Sequence, residues 1–251
     1  MSFKLLIDVG NSNINFGIAD CKTEKILFKW RTMSDINITS DEFAIKLISH
    51  LNYFGIKIDG VNISCVVRGL GPIIKNAILN YFDIVPKIVD SKIECDLNFN
   101  KLEKPEELGA DRIVNCIAGY KFYSEQEFDL IIIDFGTATT YDLIDKSGNF
   151  ITGITAPGIK ISADCLFRKT SLLNKIEIHK PKSIFAKNTE ESLYAGIIYS
   201  QIGACEYIIN KLRNYYPEAK VIATGGLCNL IDSEVICEKD IDLTLKGLMV
   251  L

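Results

Sequence analysis

Residues 4–20, KLLIDVGNSNINFGIAD, return in altered form as residues 129–145, DLIIIDFGTATTYDLID. Both stretches open with an apolar run, continue with Asp-x-Gly and small polar residues, and end with a second apolar run that closes on Asp. The match pairs Asp8 with Asp134, an offset of 134 − 8 = 126 residues in a chain of 251. That offset is far longer than a solenoid period. It therefore predicts duplication of a domain-sized unit.

Strands and helices alternate after the repeated stretch in each half. Strands are predicted over residues 25–32, 61–67, 84–89, 150–155 and 221–224, and helices over 70–82 and about 189–215. A further helix begins after Thr39, because Thr39-x-x-Glu42 has the spacing of a capping box. This alternation indicates an α/β fold, and the opening hairpins indicate mixed sheets. We predict two domains, 1–115 and 116–251, joined through a helix over about 106–123.

Composition excludes several classes of function. Hydrophobic residues make up 48% of the chain and charged residues 24%, which is enough to build a buried core. The net charge of −4 argues against nucleic acid as a partner, since a phosphate backbone needs a dense basic surface. No apolar run approaches the roughly 20 residues that span a bilayer. We expect a cytoplasmic protein without a signal peptide or a membrane partner.

The cysteines and histidines do not form the patterns of a metal or redox site. None of the eight cysteines belongs to a CxxC pair, and the two histidines stand apart from each other. Reduced thiols that behave as small hydrophobes are the expected state. A zinc site or a histidine-based triad is not predicted.

The first Asp-x-Gly segment, Asp8-Val-Gly-Asn-Ser-Asn13, has the chemistry of a phosphate-binding turn. A carboxylate at a strand end can meet a metal-bound phosphate, and Gly10 lets backbone N–H groups approach closely. Asn11, Ser12 and Asn13 add neutral donors. The alternative is an ordinary hairpin turn, because Gly, Asn and Ser are common turn residues.

The second segment, Asp134-Phe-Gly-Thr-Ala-Thr-Thr140, has the same pattern of an aspartate, a glycine and small polar residues after an apolar run. Protein kinases also contain Asp-Phe-Gly, but the HRD and VAIK signatures of that class are absent here. Two matching turns are more specific than one, and we expect them to face each other with phosphates between them. A third candidate, Gly225-Gly226, follows a predicted strand, where glycine permits close approach of a ligand or simply forms a turn.

These motifs, taken together, resemble the superfamily of acetate and sugar kinases, Hsp70 and actin, and within it the type III pantothenate kinases. The resemblance runs along nearly the whole chain. Its blocks are Asp8–Asn13, Trp30–Thr32, Gly109–Arg112, Asp134–Thr140, Ala156–Gly158, Asn188-Thr189, Ala223–Gly226 and Leu243–Leu248. The Gly-Ala-Asp-Arg and Asp-Phe-Gly-Thr-Ala-Thr-Thr blocks, in this order and spacing, are the most specific. The implied fold is a pair of duplicated actin-like, ribonuclease H-like domains with mixed central sheets.

The resemblance implies transfer of phosphate from ATP to pantothenate, giving 4′-phosphopantothenate, the first step of coenzyme A biosynthesis. Asp111 corresponds to the family's catalytic base, and Arg112 is suited to hold the substrate carboxylate. The substrate-binding residues implied are Gly109, Ala110, Asp111, Arg112 and Thr189. Read without the family, Asp111 is an acidic residue in the first turn of a helix, and Thr189 is a helix N-cap.

The resemblance also implies the nucleotide and cation sites. ATP is expected to contact Asp8, Val9, Gly10, Asn11, Ser12, Asn13, Thr137, Gly225 and Gly226. Asp8 would bind Mg²⁺ through phosphate, and Asp134 would bind a monovalent cation, K⁺ or NH₄⁺. The family forms homodimers whose substrate pocket lies at the interface, so the same is expected here.

Two positions depart from the family pattern. Leu102 replaces a tyrosine that commonly contacts pantothenate, and Arg68 replaces a proline in the Ser64–Arg68 block. Leu102 favours the main alternative, a related sugar or small-metabolite kinase. A non-catalytic regulatory binding protein is a further alternative, and the retention of Asp8, Asp111 and Asp134 argues against it. A polymerising role like that of actin is disfavoured by the short chain.

Overall fold

A computed structural model describes residues 2–169 and 178–251 of the protein. The strands are β1 Phe3–Val9, β2 Asn13–Asp20, β3 Lys25–Met33, β4 Gly60–Cys65, β5 Lys87–Ile88, β6 Leu130–Phe135, β7 Ala138–Ile144, β8 Phe150–Pro157, β9 Lys220–Thr224 and β10 Glu238–Lys239. The α-helices are α1 Ser40–Phe54, α2 Leu70–Phe82, α3 Ala110–Tyr123, α4 Ile159–Lys169, α5 Thr189–Arg213 and α6 Leu243–Val250. Across the described ranges, no helix has the length and apolar character needed to cross a membrane.

The chain forms two compact units. The first contains the residues up to Phe99 together with Glu103–Ala118 and Asp242–Leu251. The second contains Asn100–Leu102 and Gly119–Ile241. Helix α3 therefore begins in the first unit and ends in the second. The sequence division at 115/116 differs from this one chiefly because the last ten residues belong to the first unit.

The sheet of the first unit has the order β3-β2-β1-β4-β5. Strands β1, β2 and β3 are antiparallel, whereas β4 and β5 run parallel to β1 and to each other. Apolar residues of β1 and β2 pack against α1 and α2 to form the core on one face. Helix α1 has the predicted capping box, since Thr39 Oγ1 accepts from Glu42 N (3.2 Å) and Glu42 Oε2 accepts from Thr39 N (2.9 Å).

Helix α6 completes the other face of the first sheet. The buried Asn62 side chain on β4 donates to the Leu248 carbonyl at 2.6 Å. A Cβ on Gly247 would lie 2.1 Å from the Val114 carbonyl oxygen, so only glycine permits this approach of α6 to α3. This long-range packing explains why the C-terminal residues join the first unit, although their sequence follows the second.

The sheet of the second unit has the order β10-β9-β6-β7-β8, which repeats the first order element by element. The antiparallel β6–β7 hairpin corresponds to β1–β2, and the parallel β6–β9 pair corresponds to β1–β4. Helices α4 and α5 contribute to the core on one face, with Ala163, Ile198 and Ile209 buried. The predicted duplication and the mixed sheets are confirmed by this equivalence.

Several predicted boundaries agree closely with the structure and others do not. Helix α2 has the predicted ends, and the predicted strand over 25–32 is β3. The strand predicted over 84–89 is only two residues long, Lys87–Ile88. Pro86, which has no N–H to donate to a strand ladder, directly precedes β5.

Candidate active site

In the first unit, the turn between β1 and β2 closes on itself directly after Asp8. The Gly10 N–H donates to the Asn13 carbonyl at 3.0 Å, and a Cβ on Gly10 would lie 3.2 Å from the same oxygen. Asn11 and Ser12 are exposed at the tip. Both residues therefore lie at the surface of the turn, and phosphate binding there stays a prediction.

Ser34 anchors this turn from outside it. The Ser34 hydroxyl donates to the Gly10 carbonyl at 2.5 Å, and the Ser34 N–H donates to the Ser12 carbonyl at 3.2 Å. Sequence reasoning missed this residue. The register of the β2–β3 pair could have indicated it. Met33 lies opposite Asn13, so the next residue, Ser34, lies beside the turn.

The Asp8 carboxyl group is buried, with 9% of its surface exposed. Burial, together with a smaller contribution from the nearby negative charge of Asp111, raises the pKa of Asp8 to about 6. A hydrogen bond from the Asn15 side-chain amide to Asp8 Oδ2, at 3.1 Å, opposes this rise. The buried hydroxyl of Ser64, which is the neighbour of Asp8 across the β1–β4 pair, also favours the charged form. Asn15 and Ser64 were both missed by sequence reasoning.

Asp111 lies in the first turn of α3, as its sequence context predicted. Its Oδ1 accepts from the Arg112 N–H at 2.8 Å. A Cβ at position 109 would lie 2.5 Å from the same oxygen, so Gly109 leaves room for this conformation of the carboxylate. Burial raises the pKa of Asp111, and the backbone N–H and charge of Arg112 work against the rise.

Asp8 and Asp111 thus form an interacting pair of carboxyl groups within one unit. Two such groups, both partly desolvated, favour a bound cation or a shared proton, since either reduces their mutual repulsion. The sequence did not indicate this proximity, because more than a hundred residues separate them. It arises from the packing of α3 in the first unit.

In the second unit, three glycines surround the turn after β6. The Gly136 N–H donates to the Ala138 carbonyl at 3.1 Å, as Gly10 does to Asn13 in the first unit. Gly225 has φ +92°, and a Cβ there would lie 2.3 Å from Asp134 Oδ1. Gly158, which was not predicted as a site residue, has an equally close approach, because its Cβ would lie 2.2 Å from the Thr137 carbonyl oxygen.

This arrangement suits a hard cation. A carboxylate of Asp134 beside closely packed backbone supplies oxygen donors without side-chain obstruction from positions 136 and 225. In the described part of the chain, no group of three or more His, Cys, Asp or Glu residues could hold a metal ion. A cation at Asp8 or Asp134 would therefore complete its coordination with backbone, water or phosphate oxygens.

Thr189 differs from its predicted structural role. The N-cap of α5 is Asn188, whose Oδ1 accepts from Glu191 N at 2.8 Å, and Thr189 is the first residue of the helix. The Thr189 side chain is exposed, so its hydroxyl is accessible to a ligand. The N-cap prediction was wrong by one residue, because Asn and Thr are both favourable caps and stand next to each other.

Two sheets of one strand order, each with an Asp-x-Gly turn after its central strand, define a duplicated actin-like fold. Solved structures agree with this class. A ROK family glucokinase from Streptomyces griseus, in complex with glucose and AMPPNP, superposes with a TM-score of 0.59 at 11% identity, covering 99% of this chain and 98% of that one. The activator of a 2-hydroxyisocaproyl-CoA dehydratase from Clostridium difficile gives 0.56 at 14% identity, with 98% and 91% covered.

The particular family follows from the sequence comparisons. The family model of type III pantothenate kinase matches residues 4–211. A type III pantothenate kinase of Geotalea daltonii is 42% identical over 253 residues, covering 98% of this chain and 96% of the relative. That of Agathobacter rectalis is 40% identical over 251 residues, covering 97% and 94%. The chain belongs to the type III pantothenate kinase family.

Proposed function

We propose that this protein transfers the γ-phosphoryl group of ATP to the hydroxyl group of pantothenate, giving 4′-phosphopantothenate and ADP at the start of coenzyme A biosynthesis. The observation that carries the proposal is the pair of interacting carboxyl groups, the buried Asp8 and the half-buried Asp111, in a chain of this family. Phosphoryl transfer needs a polyphosphate site beside a group that positions the acceptor hydroxyl. The pair supports both roles.

Asp111 is proposed as the catalytic base. Its carboxylate orients the acceptor hydroxyl and takes its proton as the new P–O bond forms. The rise in the pKa of Asp111, caused mainly by burial, brings its basicity closer to neutral pH, where proton acceptance is more effective. The adjacent Arg112 is suited to the pantothenate carboxylate, and the backbone of the half-buried Gly109 and the buried Ala110 is proposed to complete this part of the substrate site.

Asp8 and its turn are proposed to bind the phosphates of ATP. With a buried carboxylate and a second one nearby, Asp8 is a poor site for a bare polyphosphate but a good one for Mg²⁺-bound phosphate, which supplies charge neutralisation when present. Val9 and Gly10 contribute backbone, and Asn11, Ser12 and Asn13 contribute neutral donors. Asn15 and Ser34 are proposed as positioning residues, because one orients the carboxylate and the other holds the turn.

The turn of the second unit is proposed to bind the nucleotide and a monovalent cation. Asp134 is the proposed ligand of K⁺ or NH₄⁺, which would neutralise charge on the phosphates when bound. Thr137, Gly225 and Gly226 are proposed to contact the nucleotide. The glycine framework around Asp134 supports this, because any side chain at position 225 would displace the carboxylate.

A homodimer in the cytoplasm is the proposed working state. Helix α5 presents an exposed face of small residues and two tyrosines, which suits close packing against a second copy. Its members are Gly196, Tyr199, Ser200, Gly203, Ala204 and Tyr207, of which Tyr199 is 37% and Tyr207 65% exposed. Thr189, at the start of the same helix, is proposed to contact pantothenate.

The acceptor is tested by measuring ADP release with pantothenate against a panel of sugars. The proposal expects turnover with pantothenate alone, and a mass increase of one phosphoryl group in its product. Leu102, which replaces a family tyrosine, favours the alternative of a related small-metabolite kinase. Turnover with a sugar and none with pantothenate would establish that alternative, and no turnover with any acceptor would favour a regulatory binding protein.

A further inference from the structure

The first unit contains a pocket that the proposed reaction does not use. It encloses ≈ 390 Å³ between α1 and the ends of β2 and β3, and the segment after β3 forms one wall. Pockets of this size, about 300–1,000 Å³, commonly accommodate small organic ligands. The pocket therefore has room for a molecule of roughly the size of a substituted aromatic ring.

This pocket lies on the opposite face of the sheet from the carboxyl pair. Ile14 and Phe16 form part of its floor, and both belong to the core between the sheet and α1. Asn15 alternates with them along β2, and its amide binds Asp8 on the other face. A ligand in the pocket would therefore be separated from Asp8 by the thickness of the strand.

The lining combines an apolar floor with a charged rim. Ile38, Phe43 and Leu47 are buried, as are the floor residues of β2. Trp30 is stacked between Phe16 (ring centroids 4.8 Å apart) and His50 (5.1 Å). The rings are thus preorganised, and the occupant meets their edges and the aliphatic floor rather than an open aromatic face.

Lys46 gives the rim its charge. The Lys46 side chain is exposed, lines the pocket and makes no ion pair with any described residue. Asp35, the acidic residue of the rim, already accepts a hydrogen bond from the Asn37 N–H at 2.9 Å. An anionic group on a ligand would therefore meet an ammonium group at the mouth that holds no ion pair among the described residues and only a longer-range attraction to Glu42, while its apolar body reaches the floor.

The pocket is connected to the phosphate-binding turn by short contacts. Ser34, in its wall, holds the Gly10 and Ser12 carbonyl oxygens through its hydroxyl and N–H. Thr32, also in the wall, lies opposite Ile14 in the β2–β3 pair. Occupation of the pocket would restrain this wall and, through Ser34, the turn that binds the ATP phosphates.

We propose that this pocket is a second ligand site, which takes a small amphipathic carboxylate with an apolar body and lowers KM for ATP when occupied. The claim that the pocket binds a carboxylate does not depend on the proposed function, whereas the claim that binding lowers KM for ATP rests on it. Because coupling between two binding equilibria is reciprocal, the carboxylate and a non-hydrolysable ATP analogue bound with Mg²⁺ must tighten each other's binding by the same factor, and KM for ATP should fall in the same direction. We expect a factor of about five, at the lower end of typical allosteric couplings.

Phenylbutyrate and octanoate are suitable probes, and the neutral amide of phenylbutyrate is the matched control. Trp30 is the one tryptophan of the chain, so its fluorescence reports occupation of the pocket. We expect saturable binding of both carboxylates and about tenfold weaker binding of the amide, because the amide forfeits the charged hydrogen bond to Lys46. Lys46→Met should weaken carboxylate binding about tenfold as well, whereas Lys75→Met on α2 should not change it.

Each outcome decides one half of the proposal. Absence of a saturable change in Trp30 fluorescence, or equal binding by Lys46→Met and the unchanged protein, would overturn the ligand site even if the kinase reaction is intact. Saturable binding that leaves both KM for ATP and the analogue affinity unchanged would overturn the coupling. If the protein has no kinase activity, reciprocal tightening by the ATP analogue still tests the coupling, so failure of the proposed function is distinguishable.

Discussion

Asp8→Asn should stabilise the first unit while abolishing turnover. The folded protein raises the pKa of Asp8 from 3.8 to about 6, mainly through burial. The unfolded carboxyl ionises above about pH 4, whereas the folded one resists ionisation until about pH 6. Stability of the unchanged protein therefore falls as pH rises through this window. A shift of about two pKa units corresponds to about 3 kcal/mol at pH 7.

Asparagine carries no charge, so it removes the free energy that the folded protein spends on ionising Asp8 at pH 7. It also retains the hydrogen bond, because its amide oxygen can still accept from the Asn15 side chain. We therefore expect Asp8→Asn to be about 3 kcal/mol more stable at pH 7 and about equal in stability near pH 4. Urea unfolding followed by Trp30 fluorescence measures this directly, since Trp30 lies on β3 in the first unit. The experiment is done without nucleotide or Mg²⁺, because a bound Mg²⁺ ion would stabilise the charged form of Asp8.

Glu42→Gln is the matched control of opposite sign in the same unit. The backbone and hydroxyl groups of Thr39 hold the pKa of Glu42 below its usual value, so Glu42 contributes stability above its unfolded pKa that is lost as pH falls. Its replacement should lower stability at pH 7 slightly and matter less in acid. The reasoning about Asp8 is refuted if Asp8→Asn proves less stable than the unchanged protein at pH 7, or if the difference does not shrink between pH 7 and pH 4.

Four further predictions follow from the same geometry. Asp111→Asn should lower kcat by roughly 10²- to 10⁴-fold with an unchanged circular dichroism spectrum, and retention of most turnover would remove Asp111 from the role of base. Activity in sodium-only buffer should be low and should recover with K⁺ or NH₄⁺, and Asp134→Ala should abolish that response; an unchanged response would contradict the assignment of Asp134. Gly225→Ala should lower stability by about 1–3 kcal/mol in thermal unfolding, because a Cβ at φ +92° would meet Asp134 Oδ1 at 2.3 Å, and an unchanged melting temperature would count against that contact. Activity per subunit should fall on dilution below the dimer dissociation constant, and a fully active monomer in analytical ultracentrifugation would exclude the shared pocket.

Local patterns in the sequence were sufficient to predict the elements that local physics determines. The internal repeat predicted two sheets of one design, and the Thr39–Glu42 spacing predicted the start of α1. The capping box depends on residues that are close in sequence, and the repeat is visible because both halves retain the same order of apolar and polar residues. The same reasoning placed Asp8 and Asp134 at strand ends, because each follows an apolar run and precedes a glycine.

The remainder depends on contacts between distant parts of the chain, which no local pattern encodes. The return of α6 to the first unit requires Gly247 to lie against Val114, and neither residue signals the other in sequence. The anchoring of the turn by Ser34 and the close approach at Gly158 are of the same kind. Strand register and helix packing create these contacts, so they became apparent only with the fold.

The central claim is that Asp111 accepts the proton of the hydroxyl group that attacks ATP. The most direct measurement is a crystal structure with pantothenate and a non-hydrolysable ATP analogue bound together. The account predicts an Asp111 carboxylate oxygen about 2.6–3.2 Å from the primary hydroxyl of pantothenate, with that hydroxyl directed at the γ-phosphorus. Pantothenate bound with its hydroxyl beyond hydrogen-bond reach of Asp111, and held there by another base, would contradict it.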